Sequence, residues 1–207
     1  MKTLVALFFL VWPLGASAID YPDLSKYYPL AEGNKWVYDL QIGTREDVVE
    51  LYDAENNYYV LSFRSEFAKG YHSIRKIGDR LVKVNHQNVL TGELESDVDY
   101  KILIAPFKKG LKWVNYDKDN AGYNDKYMFI GLVNTETKAG KFKDTAKFEV
   151  IHHSPESRDM VEFQYYAPNV GLVKSEIKLK NKVVTSMELV DYEIKNINTQ
   201  MGKRGLQ

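Results

Sequence analysis

The sequence predicts an all-β fold: a curved antiparallel sheet or partly open β-barrel, with a two-sheet sandwich as the alternative. Apolar and polar residues alternate along about a dozen short segments, the pattern of strands with one buried face. Short polar turns separate most segments, so consecutive strands should pair as antiparallel hairpins. Tyr is frequent, with 15 in 207 residues, and it suits a sheet because its ring can be buried while its hydroxyl stays hydrated.

The first strand is predicted after a turn that contains Pro29 and Gly33. Pro fixes φ and Gly permits a bend, so the chain can reverse before Asn34. The apolar residues that follow at alternate positions should share one buried face: Trp36, Tyr38, Leu40 and Ile42.

The turn that precedes this strand has two later counterparts. Pro106, Gly110 and Trp113 repeat the spacing of the first corner, and a fainter third corner spans 165–173. The repeat indicates either a duplicated or shared corner motif or two strands that begin alike independently. We assign structural roles to the corner residues and their aromatic partners: Pro29, Gly33, Trp36, Tyr38, Pro106, Gly110, Trp113, Pro168 and Gly171.

The remaining predicted strands are 45–52, 58–67, 71–77, 80–86, 98–105, 111–116, 127–133, 145–152, 160–166, 170–180 and 183–194. Strand 127–133 is apolar on both faces, which predicts a central strand covered on both sides. The polar stretches 87–97 and 134–143 are predicted loops, the first mobile. Three strands carry apolar rows that should face inward: Tyr59/Leu61/Phe63/Phe67, Val98/Tyr100/Ile102/Ile104 and Val161/Phe163/Tyr165.

The N-terminal residues have the pattern of a secretory signal peptide. Lys2 precedes an apolar run over 4–14, and small residues at 16–18 predict cleavage after Ala18. An N-terminal membrane anchor is the alternative, although the run is short for a span. We therefore expect a signal peptide (1–18), one all-β domain (19–200) and a frayed basic tail (201–207). The mature chain should be periplasmic or extracellular, with no transmembrane segment.

Composition and motifs argue against several classes of function. The chain has 28 basic and 28 acidic residues, so no net charge attracts nucleic acid. It has no Cys, which excludes disulfides and a lipid-accepting thiol. No serine-hydrolase elbow, phosphate loop or zinc-protease motif is present. We predict no catalytic residue and no cofactor, and a non-enzymatic role is favoured.

No metal site is predicted from the histidines or the acidic turn. His152 and His153 are adjacent on a strand, so they should point to opposite faces and cannot chelate one ion together. Residues 117–128 resemble half of a calcium loop, but Ala121 and Met128 occupy two ligand positions. A solvated hairpin turn explains that stretch better. The alternating carboxylates of 93–99 are likewise typical of a solvated edge or loop rather than a glycosidase pair.

Three stretches, 28–38, 139–150 and 165–176, resemble a group of exported bacterial β-proteins. The shared motifs are Tyr-Pro-Leu-x-x-Gly-Asn-x-Trp-x-Tyr near the mature start, an Ala-Gly-x-Phe corner, and Tyr-Ala-Pro-x-Val-Gly-Leu-Val. The group has no established activity, so the resemblance supplies no catalytic residues. It implies a shape similar to open β-half-barrels that carry lipids or lipoproteins in the periplasm.

The function that these observations favour is an exported, non-catalytic binding or envelope-assembly protein. Its partner would be an apolar or amphipathic small molecule on the inner sheet face, or an envelope component. The predicted ligand-binding residues are Tyr59, Phe63, Tyr100, Phe163 and Tyr165. A hydrolase of envelope or extracellular polymers and a structural surface module are the alternatives.

Overall fold

The computed structural model describes residues 24–88, 94–95, 99–117, 122–155, 160–179 and 182–195. These segments form one antiparallel sheet that curls into a nearly closed barrel, which confirms the all-β prediction. One short helix, α1 (Leu24–Tyr27), precedes the strands in the described part of the chain. The strands are β1 (Lys35–Asp39), β2 (Thr44–Asp53), β3 (Tyr58–Ser65), β4 (Lys69–Ile77), β5 (Arg80–Asn88), β6 (Leu94–Glu95), β7 (Tyr100–Ile104), β8 (Lys112–Tyr116), β9 (Asn124–Thr137), β10 (Gly140–His153), β11 (Met160–Ala167), β12 (Gly171–Leu179) and β13 (Lys182–Glu193).

Most strands pair with their neighbours in sequence, as the short turns predict. The order is β6-β5-β4-β3-β2-β1-β13-β12-β11-β10-β9-β8, and β7 also pairs with β5. Strand β1 pairs with both β2 and β13, so the first and last strands lie side by side. The remaining gap lies between β7 and β8, which face each other without a backbone ladder. We call this gap the seam.

Side chains of β8 bridge the seam. The Asn115 side chain accepts a hydrogen bond from the backbone N–H of Lys101 at 3.0 Å and donates one to its carbonyl at 3.1 Å. The Trp113 indole N–H donates to the same carbonyl at 3.1 Å. Asn115 is 3% exposed. Its side-chain amide hydrogen-bonds the backbone N–H and C=O of Lys101, the two groups that a paired strand would otherwise satisfy.

Replacing Asn115 with Leu should open the seam and cost about 1–3 kcal/mol, because the Lys101 N–H is left buried without an acceptor. Chemical denaturation measures the cost, and hydrogen exchange at the Lys101 amide should accelerate more than elsewhere in the barrel. Lys112→Ala on the same strand is the control, since its side chain is exposed. Unchanged protection at Lys101 in Asn115→Leu would show that the side chain does not hold the seam.

Aromatic rings fill one part of the barrel interior, which we call the lumen. The ring of Phe148 contacts four others, with centroids 5.3–5.9 Å away: Phe107, Trp113, Phe129 and Tyr166. The segment that contains α1 packs against this group, with the Tyr27 ring 4.9 Å from Phe107. Its apolar side chains Leu24 and Leu30 are also buried. The N-terminal segment thus extends the aromatic core.

The glycines of the two Pro/Gly/Trp corners have similar backbone conformations. Gly33 and Gly110 have φ of 80° and 86°, a region that favours glycine. Each introduces a strand whose Trp is buried, Trp36 at 3% and Trp113 at 7% exposure. Trp36 donates from its indole N–H to the Val170 carbonyl, in the third corner, at 2.6 Å. Each indole therefore hydrogen-bonds a backbone carbonyl of a distant segment.

The predicted loop at 134–143 is wrong. Strand β9 continues to Thr137 and β10 begins at Gly140, so only Lys138 and Ala139 form the turn. The backbone N–H of Ala139 donates to the Leu189 carbonyl at 3.1 Å, and the hairpin tip therefore docks on β13. This long-range support keeps a polar sequence in strand conformation.

The prediction that strand 127–133 is covered on both faces is also wrong. Ile130 and Leu132 are 40% and 53% exposed. A barrel strand has one face toward the lumen and one toward solvent, so apolar residues at successive positions cannot all be buried. At the ends of two other strands, Ile42 and Phe67 lie in turns, because β1 stops at Asp39 and β3 at Ser65, and both are exposed.

The inward row predicted for β11 is reversed. Phe163 and Tyr165 lie on the outer face with Lys147, whose Nζ is 4.4 Å and 5.1 Å from their ring centroids. Glu162, Gln164 and Tyr166 face the lumen instead.

The predicted signal peptide, the C-terminal tail and most of the predicted loop at 87–97 fall outside the described residues. Within the described segments, no helix has the length and apolar character needed to cross a bilayer.

Candidate functional site

A cavity of about 240 Å³ occupies the lumen beside the aromatic core. Its wall combines aromatic side chains, among them Trp36 and Tyr38, with charged ones. The charged side chains on the described wall are Arg45, Asp47 and Lys83. Such a mixture of apolar surface and a few polar groups is typical of small-molecule sites.

Strand alternation places an ion pair on this wall. Arg45 and Asp47 lie two residues apart on β2, so both point into the lumen. Arg45 Nε is 2.6 Å from one Asp47 carboxylate oxygen, and Arg45 Nη2 is 3.0 Å from the other. Burial raises the pKa of Asp47, and the charge of Arg45 opposes that rise. The two parallel hydrogen bonds keep the pair in one fixed geometry.

Aromatic groups surround the ion pair. The Arg45 guanidinium lies 5.1 Å from the Phe63 ring centroid, and Phe63 stacks on His72 at 4.8 Å. Tyr28 lies on the cavity wall, and its hydroxyl has no hydrogen-bond partner among the described residues. Burial raises the pKa of Tyr28, and the negative charge of Asp47 adds to the rise. The Tyr28 hydroxyl therefore stays protonated and can donate a hydrogen bond.

A second polar group, the His152 cluster (Asp125, His152 and Glu162), also faces the lumen. His152 Nδ1 is 2.7 Å from Asp125 Oδ1, and Nε2 is 2.9 Å from Glu162 Oε2. An imidazole can donate from both nitrogens only when protonated. These bonds to Asp125 and Glu162 raise the pKa of His152 to about 9. Burial alone would raise the pKa of each carboxyl group, but the bonds to His152 lower both.

The His152 cluster holds polar side chains of the cavity wall in place. Tyr100 donates from its hydroxyl to Asp125 at 2.7 Å. Gln164 donates to Glu162 at 3.2 Å and accepts from the Tyr166 hydroxyl at 3.0 Å. Tyr100, Gln164 and Tyr166 all line the cavity. Protonated His152 therefore stabilises the positions of wall residues that it does not touch.

Lys83, a third cation, lies on the cavity wall and acts on the His152 cluster. Its Nζ lies 4.9 Å from the Tyr100 ring centroid, and its charge contributes to lowering the pKa of Asp125. Together with the ion pair and the His152 cluster, the described lumen holds three cations and three carboxylates. These are Arg45, Lys83, His152, Asp47, Asp125 and Glu162.

The five predicted ligand-binding residues lie in different places. Tyr100 lines the cavity. Phe63 contacts Arg45 and His72 of the wall, and the Tyr59 ring packs on Tyr52 at 4.8 Å. Phe163 and Tyr165 lie on the outer face, away from the cavity, because Glu162 and Gln164 occupy the inner positions of β11. On β11, the apolar row of the sequence therefore lies on the outer face of the barrel, and the polar row lies on the inner face.

His152 shares the lumen face with Val150, and strand alternation directs the adjacent His153 toward the other face. No group of His, Asp or Glu in the described segments is arranged to hold a metal ion. Asp125, predicted to lie in a solvated turn, instead faces the lumen and bonds Tyr100 and His152. The calcium-like stretch itself falls partly outside the described residues, at 118–121.

Sequence reasoning missed the ion pair and the acidic partners of His152. A signal was present, because Arg45 and Asp47 alternate with Val49 on one face, and Glu162 and Gln164 alternate with Tyr166. A strand face that carries two polar residues followed by an apolar one is typical of a polar lumen as well as of a solvated surface. The sequence does not distinguish these two cases.

No protein-family model and no curated protein matches the chain. Two crystal structures are similar to it. One, from Bacteroides fragilis, is of a protein inferred to be exported with a YmcC-like fold, with 17% identity and a TM-score of 0.45. The other, from Parabacteroides distasonis, is of a protein inferred to be a lipoprotein, with 21% identity and a TM-score of 0.41. Each match covers 80% of this chain and 97% of the other.

Proposed function

We propose that this protein is an exported binding protein that holds a small amphipathic molecule in the barrel cavity. The observation that carries the proposal is the cavity itself, about 240 Å³ lined by an ion pair and aromatic rings. Protein interiors are normally close-packed, so a partly polar cavity of this size inside a barrel favours a ligand. The signal-peptide pattern of residues 1–18 supports export.

The size of the cavity favours a compact ligand. An engineered cavity of roughly 150 Å³ binds benzene, whereas drug-sized ligands occupy pockets of about 300–1,000 Å³. A space between these sizes fits one ring or a short branched chain with a polar substituent. This volume therefore favours a small molecule over a long acyl chain.

The alternative of a hydrolase gains no support from the lumen carboxylates. Asp125 and Glu162 both accept hydrogen bonds from His152, and a hydrolytic pair needs one carboxyl group that donates a proton to substrate. The pKa of each carboxyl group is lowered rather than raised. This arrangement suits a structural role for the cluster.

Filling the cavity should abolish binding of a small amphipathic probe. Met187 lies on the cavity wall, and Met187→Trp introduces a bulky aromatic ring there. We expect benzyl alcohol to bind the wild-type protein and to bind Met187→Trp at least about tenfold more weakly, a loss of about 1.4 kcal/mol. Two-dimensional NMR titration measures both affinities and shows which residues respond.

Val183→Trp is the matched control, because it places the same side chain on the same strand at a position that is 52% exposed. It should bind the probe like the wild type. Equal affinity in all three proteins, or no binding to the wild type by any small probe, would contradict the cavity as the binding site.

A further inference from the structure

We infer, on the basis of the proposed binding role, that the ligand is electrically neutral and carries one group that both donates and accepts hydrogen bonds. Carboxamides and hydroxylated rings are of this class. The polar group binds beside Arg45, Asp47 and Tyr28, and the apolar body lies against the aromatic wall. Three features of the described residues lead to this ligand class.

The first feature is charge balance. Arg45 is paired with Asp47, and His152 is held between Asp125 and Glu162. Lys83 supplies the third cation and acts on Asp125. An ionic ligand would bring an additional charge beside Arg45 and His152, which already have carboxylate partners. Such a ligand loses its hydration without gaining a counter-ion, whereas a neutral ligand avoids that loss.

The second feature is the remaining hydrogen-bonding capacity of the ion pair. A guanidinium has five N–H donors, and the bidentate contact with Asp47 uses two of them. A carboxylate can accept about four hydrogen bonds, so Asp47 also retains capacity. Arg45 and Asp47 keep 31% and 18% of their side chains accessible, and both line the cavity. Donors and acceptors are therefore presented side by side.

The third feature is the Tyr28 hydroxyl. It lines the same cavity and has no partner among the described residues, and the charges of Asp47 and Arg45 both act on it. A ligand carbonyl or hydroxyl oxygen can accept from Tyr28 and Arg45, while a ligand N–H or O–H donates to Asp47. A group with only acceptors or only donors would leave part of this site unpaired.

Three probes with the same ring and different head groups test the inference. Benzamide is neutral, benzoate is an anion and benzylammonium is a cation at neutral pH. We expect benzamide to bind the wild-type protein about tenfold more tightly than either ion, measured by NMR titration. Tyr28→Phe removes only the hydroxyl, and it should weaken benzamide several-fold while the spectrum of the barrel stays unchanged.

Asp47→Asn should reverse the preference, because it leaves the Arg45 charge without a counter-ion on the cavity wall. Benzoate should then bind more tightly than benzamide. The control is Asp191→Asn, which changes the net charge equally at an exposed position on β13 and should keep the wild-type order. If Asp47→Asn does not fold, the inference is still tested by the order of the three probe affinities in the wild-type protein and by the benzamide affinity of Tyr28→Phe.

The outcomes separate the inference from the proposed function. If no probe binds the wild-type protein, the binding role itself is wrong. If benzoate or benzylammonium binds the wild-type cavity as tightly as benzamide, the role stands and the neutral ligand class is overturned. An unchanged benzamide affinity in Tyr28→Phe would show that the Tyr28 hydroxyl does not contribute to binding.

Discussion

Replacing Trp36 with Ala is expected to lower the free energy of unfolding by about 3–5 kcal/mol. The ring is 3% exposed, and its loss leaves a space between β1 and the third corner. The indole also donates to the Val170 carbonyl at 2.6 Å, and that acceptor loses its partner. Trp36→Ala therefore combines the cost of a buried void with the cost of a lost hydrogen bond.

Chemical denaturation measures the effect of Trp36→Ala. Trp36→Phe separates the two costs, because it retains most of the ring volume and loses only the N–H donor. Tyr116→Ala is the control, since this aromatic residue also lies on a strand but is 74% exposed. A loss below about 1 kcal/mol in Trp36→Ala would show that the corner residue does not stabilise the fold.

Stability should also fall as the pH rises from about 6.5 to above 9, because the fold then loses the His152 cation. The folded-state pKa of His152 is raised from the ordinary 6.5 to about 9, so the protonated form stabilises the native state. Its contribution is complete below the unfolded pKa and is lost as pH passes through the folded pKa. The shift corresponds to about 3 kcal/mol.

The carboxyl groups of the cluster act at the other end of the pH scale. The pKa values of Asp125 and Glu162 are lowered from 3.8 and 4.5. Their contribution is present above those values and is lost as the pH falls through the lower folded values. The cluster should therefore stabilise the barrel most between about pH 4.5 and 6.5.

His152→Gln tests this pH dependence. The decline between pH 6.5 and above 9 should largely disappear in the variant, measured by denaturant unfolding across that range. His153→Gln is the matched control, because the adjacent His points to the opposite face and should leave the decline in place. A flat profile in the wild type, or equal effects of the two substitutions, would exclude His152 as the source.

The fold class followed from the sequence because strand alternation and turn chemistry are local. The Pro/Gly corners likewise marked two strand starts with buried Trp. The orientation of β11 did not follow, because Phe163 and Tyr165 are the more apolar choice for an inner face. Glu162 and Gln164 are tolerated inside because His152, Ser175 and Tyr166 hydrogen-bond them. His152 and Ser175 come from neighbouring strands, and pairings between strands of a barrel have no local sequence signal.

The candidate site was missed for the same reason. His152 and Asp125 are 27 residues apart, and antiparallel register alone brings them together. The seam was not predictable from the sequence either, because the side chain of Asn115 makes the hydrogen bonds that a backbone ladder would otherwise make. Polar residues on a strand were interpreted as a wet outer surface, whereas in this barrel part of the lumen is polar.

Native mass spectrometry of the protein purified from its own host tests most directly whether the cavity holds a ligand. We expect the wild-type protein to carry one small neutral molecule, released by solvent extraction and absent from Met187→Trp. Val183→Trp should retain it. A wild-type protein that carries no small molecule and takes up none of the probes, or one whose molecule persists in Met187→Trp, would contradict binding in the cavity.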